Sequence, residues 1–217
     1  MKLQLSLDKG DLNEALDIVE ETRESVDIVE VGTPLALRCG AQAIAAIKER
    51  YPGKQVLADF KIMDGGEYEA GIAFEAGADI VTVLGAASDA TIGGAVSAAR
   101  RYKKETMVDL IEIADIRRRL PQIEKLGADY LCVHTAVDVQ NGSNSPMTEL
   151  LIARQIVTTA KLAIAGGLNI RNIGEVIPGR PDIVIVGAGI TSELNRGKAA
   201  ADIRRKLREA EDDRTIL

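Results

Sequence analysis

Six residues able to carry acid–base or metal chemistry stand at the ends of short apolar runs: Asp8, Glu30, Asp59, Lys61, Asp109 and His134. Glu30 and Asp59, on neighbouring runs, offer hard oxygen ligands that suit a Mg²⁺ ion bound partly through water and substrate. The alternative is repulsion between them, with one carboxyl held protonated. His134 is the only histidine of the chain, and its imidazole can act as a base or acid near neutral pH. In Val56–Leu57–Ala58–Asp59–Phe60–Lys61 the strand period of two puts Asp59 and Lys61 on one face. Charges in an apolar setting cost free energy unless they pair or serve a function. A buried ion-pair network could account for any one of the six. The whole set, each member closing a separate run, reads as a site.

A second chemistry is written in glycine. The last two apolar runs end in Ala165–Gly166–Gly167 and Val186–Gly187–Ala188–Gly189–Ile190. Glycine lets a backbone approach an anion closely, with its N–H groups aimed at the ligand. Two such pairs at the ends of the seventh and eighth runs predict a phosphate site at Gly166, Gly167, Gly187 and Gly189.

The elements that must position these residues alternate along the whole chain. Strands are predicted at Leu3–Leu7, Asp27–Val31, Gln55–Phe60, Ile80–Leu84, Thr106–Ile111, Tyr130–His134, Leu162–Ala165 and Ile183–Val186. Helices are predicted between and after them, at Leu12–Thr22, Ala36–Arg50, Gly66–Ala76, Ala90–Lys103, Ile116–Leu126, Met147–Ala160, Ile170–Ile177 and Arg196–Ala210. Strict alternation of this kind implies right-handed βαβ units and a parallel sheet. Eight units, with polar groups at nearly every strand end, favour an α/β fold closed into a single (β/α)8 TIM barrel over an open sheet with one switch point. Gly-Ala-Asp recurs at 77–79 and 127–129, with glycine as the expected helix C-cap before a strand. Residues 1–210 are read as one domain, and residues 211–217 as a tail expected to fray.

Composition narrows the function further. The chain has 217 residues, a net charge of -6 and only 3% aromatics, so its core must be built from Val, Ile, Leu and Ala. Acids and bases alternate, and the Arg204–Arg205–Lys206 run is followed by acids, so no nucleic-acid footprint appears. Cys39 and Cys132 match neither a metal spacing nor a disulfide framework and are expected to be reduced thiols. Asp8, Asp11 and Glu14 interrupt any apolar leader, and no segment reads as a membrane span; a cytoplasmic location is expected.

The motifs also carry a resemblance. Asp59-Phe60-Lys61-Ile62-Met63-Asp64 has the D-x-K-x-x-D form of the orotidine monophosphate decarboxylase superfamily. Leu5–Ser6–Leu7–Asp8, the Asp27–Pro34 segment, Val108–Asp109, Cys132–Val133–His134–Thr135, Ala163–Gly167 and Val184–Gly187 narrow it. Over residues 1–205 the chain resembles the 3-hexulose-6-phosphate synthase family, with 3-keto-L-gulonate-6-phosphate decarboxylase as a close relative.

The resemblance implies a Mg²⁺-dependent aldol lyase that condenses formaldehyde with D-ribulose 5-phosphate through a cis-enediolate, giving D-arabino-hex-3-ulose 6-phosphate. Glu30 and Asp59 would hold the metal, His134 would remove the C1 proton and Lys61 would donate to substrate oxygens. Asp8 and Asp109 would orient substrate and neighbours. It also implies a homodimer in which Asp64 reaches the partner's site. The decarboxylase branch carries arginine at the positions of Val137 and Ala188, so these departures favour the synthase and a phosphate held mostly by backbone amides. Two alternatives stay open: the decarboxylase reaction, and a non-catalytic barrel that binds sugar phosphate.

Overall fold

The computed structural model describes residues 1–140 and 146–215. Its eight strands are β1 (Lys2–Leu7), β2 (Ile28–Val31), β3 (Gln55–Ile62), β4 (Ile80–Leu84), β5 (Glu105–Asp109), β6 (Tyr130–His134), β7 (Lys161–Ala165) and β8 (Ile183–Val186). They pair in sequence order, all parallel, and β1 closes on β8. Around them lie α1 (Leu12–Thr22), α2 (Thr33–Cys39), α3 (Gln42–Arg50), α4 (Gly66–Glu75), α5 (Asp89–Tyr102), α6 (Ile116–Lys125), α7 (Met147–Ile156), α8 (Ile173–Val176), α9 (Ala188–Thr191) and α10 (Arg196–Thr215). The chain is a (β/α)8 barrel, and no helix among the described residues is long and apolar enough to cross a membrane.

The strand period of two sorts side chains into two cores. Outward residues such as Leu5, Val29, Val81 and Val184 pack under the helices. Inward residues Ile28, Leu57, Ile80, Met107, Tyr130, Ala163 and Ile183 fill the barrel from below. One pleat further up, the inward positions become Ser6, Glu30, Asp59, Thr82 and Asp109, all buried. The apolar floor is therefore a packed plug, and the polar layer above it forms the base of the barrel mouth.

The opposite end is pinned by a four-fold device. Asp27, Asp79, Asp129 and Asp182 precede the even strands. Each accepts a backbone N–H from an odd strand: Leu3 at 2.8 Å, Val56 at 2.9 Å, Thr106 at 2.9 Å and Leu162 at 2.8 Å. Cations cover these carboxylates: Arg204 on Asp27, Lys48 and Lys104 on Asp79, Arg100 on Asp129 and Arg154 near Asp182. Burial opposes the charge of Asp79, but both lysines and the Val56 N–H hold its carboxyl below the usual range. Asp79→Ala removes the carboxylate from two lysines, of which Lys48 keeps the Lys54 carbonyl, and leaves the Val56 N–H without its acceptor. It is expected to cost about 2–3 kcal/mol in urea unfolding, without changing activity per folded molecule.

Several boundaries differ from the sequence reading. The second predicted helix is two, because Gly40 (φ 60) breaks it between α2 and α3. The helix predicted at Ile170–Ile177 shrinks to four residues followed by a 3-10 turn at Pro178. The short α9 has too few apolar positions for periodicity to reveal it. Helix α10 continues past Ala210, where fraying is expected, to Thr215, and the Glu211 carboxylate meets the Met1 amino group. Ile216 and Leu217 lie outside the described residues.

Candidate active site

The barrel mouth opens into a cavity of about 630 Å³ lined by Asp8, Glu30, Asp59, Lys61, Asp109 and His134. All six strand-end residues singled out in the sequence converge there. Asp64 does not. It is exposed, and its Oδ1 accepts the N–H of its own neighbour Gly65 at 2.8 Å.

Asp59 and Lys61 reach the same face through an irregular strand. Pairing of β3 with β4 shifts between Ala58 and Ile62, and Lys61 sits at φ 47, a left-handed conformation unusual outside glycine. The Lys61 N–H donates to Thr82 Oγ1 at 2.9 Å, which holds the bulge. Backbone strain of this kind persists where the surrounding structure enforces it, and it commonly marks functional positions. Lys61 Nζ donates to Asp59 Oδ2 and lies 3.6 Å from Asp109 Oδ2. Burial disfavours the ammonium, but these two carboxylates outweigh it and raise its pKa.

Glu30 has no such cation against it. Its Oε2 accepts from Gln4 Nε2 at 2.5 Å and its Oε1 from Ser6 Oγ at 2.9 Å. Burial, with the carboxylates Asp59 and Asp8 nearby, pushes its pKa up to about 8. Gln4 Oε1 is the one buried side-chain polar atom without a partner among the described residues; the amide is turned to serve Glu30 instead. Burial also raises the pKa of Asp8, which lies 3.0 Å from the Ser6 hydroxyl and shares its single hydrogen with Glu30.

This donor set fits a divalent cation. Each Glu30 oxygen accepts one hydrogen bond, and so does Asp59 Oδ1, from Thr82 Oγ1 at 2.8 Å. Each therefore keeps a free lone pair. Asp59 Oδ2 is filled by Lys61 and by Thr33 Oγ1 at 2.8 Å. Among the described residues no group of three or more His, Cys, Asp or Glu could form a closed metal cage. A two-carboxylate site completed by water and substrate oxygens is the arrangement Mg²⁺ favours.

His134 and Asp109 form a hydrogen-bonded pair on the cavity wall. His134 Nδ1 lies 2.8 Å from Asp109 Oδ2, while Oδ1 accepts the Ile111 N–H at 2.9 Å. An ionised carboxylate only accepts, so Nδ1 carries the hydrogen and Nε2 is left with the lone pair of a base. Burial opposes charge on both partners. Their mutual contact prevails, raising the His134 pKa and lowering that of Asp109.

The glycines meet at one side of the mouth. A Cβ at Gly166 (φ 116) would lie 2.7 Å from the Thr135 carbonyl, and one at Gly189 would lie 2.3 Å from the Leu168 carbonyl. Neither position admits a side chain, so the loops after β7 and β8 are pressed into one surface. Gly166, Gly167, Gly187 and Gly189 all line the cavity. Sequence reading missed Gln4, Ser6, Thr33 and Thr82. For Gln4 and Ser6 the signal was present, since the strand period counted back from Asp8 puts them on its face.

Comparisons with known proteins cover nearly the whole chain. Residues 1–203 match the Orotidine 5'-phosphate decarboxylase / HUMPS family. A 3-hexulose-6-phosphate synthase of Bacillus subtilis is 47% identical over 207 residues, which are 95% of this chain and 99% of that protein. The crystal structure of 3-hexulose-6-phosphate synthase from Salmonella typhimurium superposes with a TM-score of 0.94 at 42% identity, covering 97% of this chain and 100% of that one. The 3-keto-L-gulonate-6-phosphate decarboxylase of Vibrio cholerae gives a TM-score of 0.84 at 25% identity, over 98% of this chain and 97% of that one.

Proposed function

Since the chain belongs to the Orotidine 5'-phosphate decarboxylase / HUMPS family, we propose that it is a Mg²⁺-dependent aldehyde-lyase. It condenses formaldehyde with D-ribulose 5-phosphate to D-arabino-hex-3-ulose 6-phosphate, reversibly. The observation that carries this reading is the Asp109–His134 pair facing Glu30, Asp59 and Lys61 across one cavity, in a chain 47% identical to a protein of that name.

Glu30 and Asp59 would hold Mg²⁺, which when bound supplies positive charge opposite the substrate oxygens on which negative charge builds. His134 Nε2 takes the proton from C1 of the sugar, and Asp109 holds the ring and stabilises the imidazolium. Lys61, kept charged by Asp59 and Asp109, donates to a substrate oxygen as negative charge develops on it. The carbanionic C1 then bonds to the formaldehyde carbon, and the resulting alkoxide takes up a proton. Asp8 orients the sugar, and the glycine amides of the β7 and β8 loops hold its phosphate.

The decarboxylase alternative is disfavoured at the same walls. Val137 and Ala188 line the cavity where that branch carries arginines. The deciding assay offers ribulose 5-phosphate, formaldehyde and Mg²⁺ beside 3-keto-L-gulonate 6-phosphate. Formaldehyde consumption supports this reading; CO₂ release as the faster reaction favours the decarboxylase, and binding without turnover favours a sensor.

The active form is a homodimer in this reading. Leu37 on α2, Met63 on the loop bearing Asp64 and Tyr68 on α4 expose 83%, 53% and 77% of their surface. Apolar groups so placed suit a partner subunit that would receive Asp64. Mixing inactive Asp64→Ala with inactive His134→Ala protein, with subunits allowed to exchange, is expected to restore roughly a quarter of native activity. Each mixed dimer holds one intact site only if Asp64 acts across the interface. No recovery despite proven exchange would place Asp64 elsewhere.

A further inference from the structure

The phosphate cradle lacks the arginine that the decarboxylase branch has at position 188, where this chain has alanine. It also lies in an adverse field. Among the described residues, six acidic side chains line the cavity against three cationic ones, Lys9, Lys61 and Arg171. Lys61 is already committed to Asp59 and Asp109. A phosphate dianion entering beside those acids would gain from any uncommitted cation set next to the cradle.

Lys9 and Arg171 stand on the two loops that flank the cradle. Lys9 follows Asp8 at the end of β1 and reaches across to Ser192 Oγ, 3.5 Å away, at the C-terminal end of α9. Arg171 lies four residues after Gly167 in a loop built to hold its shape. Asn169 Nδ2 and Asn172 Nδ2 both donate to the Gly167 carbonyl, at 3.1 and 3.0 Å. Asn172 Oδ1 accepts the Asn169 N–H at 2.8 Å, and Asn169 Oδ1 accepts the N–H of Arg171 itself at 2.9 Å. The first two of these contacts occupy the Gly167 carbonyl, and the last fixes the backbone from which the guanidinium extends. That guanidinium is exposed and has no hydrogen-bond or ion-pair partner among the described residues. An arginine on a rigid loop at the rim of an anion cradle, with its five donors unspent, is preorganised for a phosphate.

We propose that Arg171 and Lys9 form a two-loop cationic clamp on the substrate phosphate, replacing the single arginine absent at position 188. The clamp rests on the phosphate-sugar reading above and deepens it. Arg171 supplies the directional hydrogen bonds and Lys9 the point charge, so sugars without the phosphate gain nothing from either.

The test separates phosphate binding from turnover. Inorganic phosphate is titrated calorimetrically into the full-length protein, and kcat and KM are measured with ribulose 5-phosphate. Arg171→Ala is expected to weaken phosphate binding and raise KM by about tenfold each, with kcat within about twofold. Lys9→Ala is expected to do the same by about threefold, and Arg171→Lys to recover part of the loss. The salt dependence of KM should flatten in the double variant. Unchanged phosphate affinity in the double variant, or a native protein that binds no phosphate, overturns the clamp. If phosphate binding falls as expected in a protein that never consumes formaldehyde, the clamp stands and the aldol reading fails.

Discussion

Replacing His134 with alanine is expected to lower kcat about 10³-fold while leaving ribulose 5-phosphate affinity within about threefold. The asymmetry follows from where the residue stands. Its Nδ1 is bound to Asp109, and its remaining nitrogen is the basic atom of the pair. It supplies a proton acceptor needed only as the C–H bond breaks, whereas ground-state binding of the phosphate rests on the glycine loops and the cations beside them. Asp109→Asn tests the same pair from the other side. Without the carboxylate the raised His134 pKa should fall, so the acid limb of the kcat/KM profile should move to lower pH even as the rate drops. Steady-state kinetics and calorimetric titration with the sugar phosphate check both. Equal loss of turnover and affinity in His134→Ala would make His134 a binding residue.

Removal of the metal is the second large effect expected. Treatment with EDTA should reduce activity by about 10³-fold or more, and added Mg²⁺ should restore it. The same loss, without rescue by Mg²⁺ at ordinary concentrations, is expected of Asp59→Asn. The affinity for Mg²⁺ should itself depend on pH. Burial and the neighbouring carboxylates of Asp59 and Asp8 raise the Glu30 pKa, so its carboxyl takes up a proton more readily than an ordinary glutamate in the metal-free protein. Metal binding, which needs the carboxylate, is therefore expected to release protons, and Mg²⁺ affinity should fall as the pH is lowered. Calorimetry in buffers of different ionisation enthalpy counts those protons. Full activity in exhaustively chelated enzyme would remove the metal from the account.

Much of this arrangement is legible in the amino-acid sequence because it follows from one periodicity. Strands of a parallel barrel are short and apolar. A charged residue closing such a run, like Asp109 or His134, stands out against it, and the direction it faces follows from the pleat. The glycine pairs after β7 and β8 are legible too, and at Gly166 and Gly189 a backbone pressed on a backbone tolerates nothing else. What escapes the sequence is geometry set by packing. The period of two already puts Asp59 and Lys61 on one face, but nothing in it announces that β3 bulges between Ala58 and Ile62 or that Lys61 adopts a positive φ. Thr82 holds that bulge from within an ordinary Val-Ile strand pattern. Gln4 and Ser6 are uncharged, and nothing in their residue types announces that they position Glu30. Arg171 went unnoticed because a lone surface arginine is the commonest kind. Its setting appears only once Asn169 and Asn172 are seen to fix the loop.

The most direct measurement follows the C1 protons of ribulose 5-phosphate by NMR in D₂O, with enzyme and Mg²⁺ but without formaldehyde. If the imidazole lifts a proton from that carbon before the new bond forms, one C1 hydrogen should wash out stereospecifically in native protein. The exchange should be lost with EDTA and in His134→Ala. Retention of both protons by an enzyme that still consumes formaldehyde, or undiminished exchange in His134→Ala, would contradict the assignment of His134 as the base.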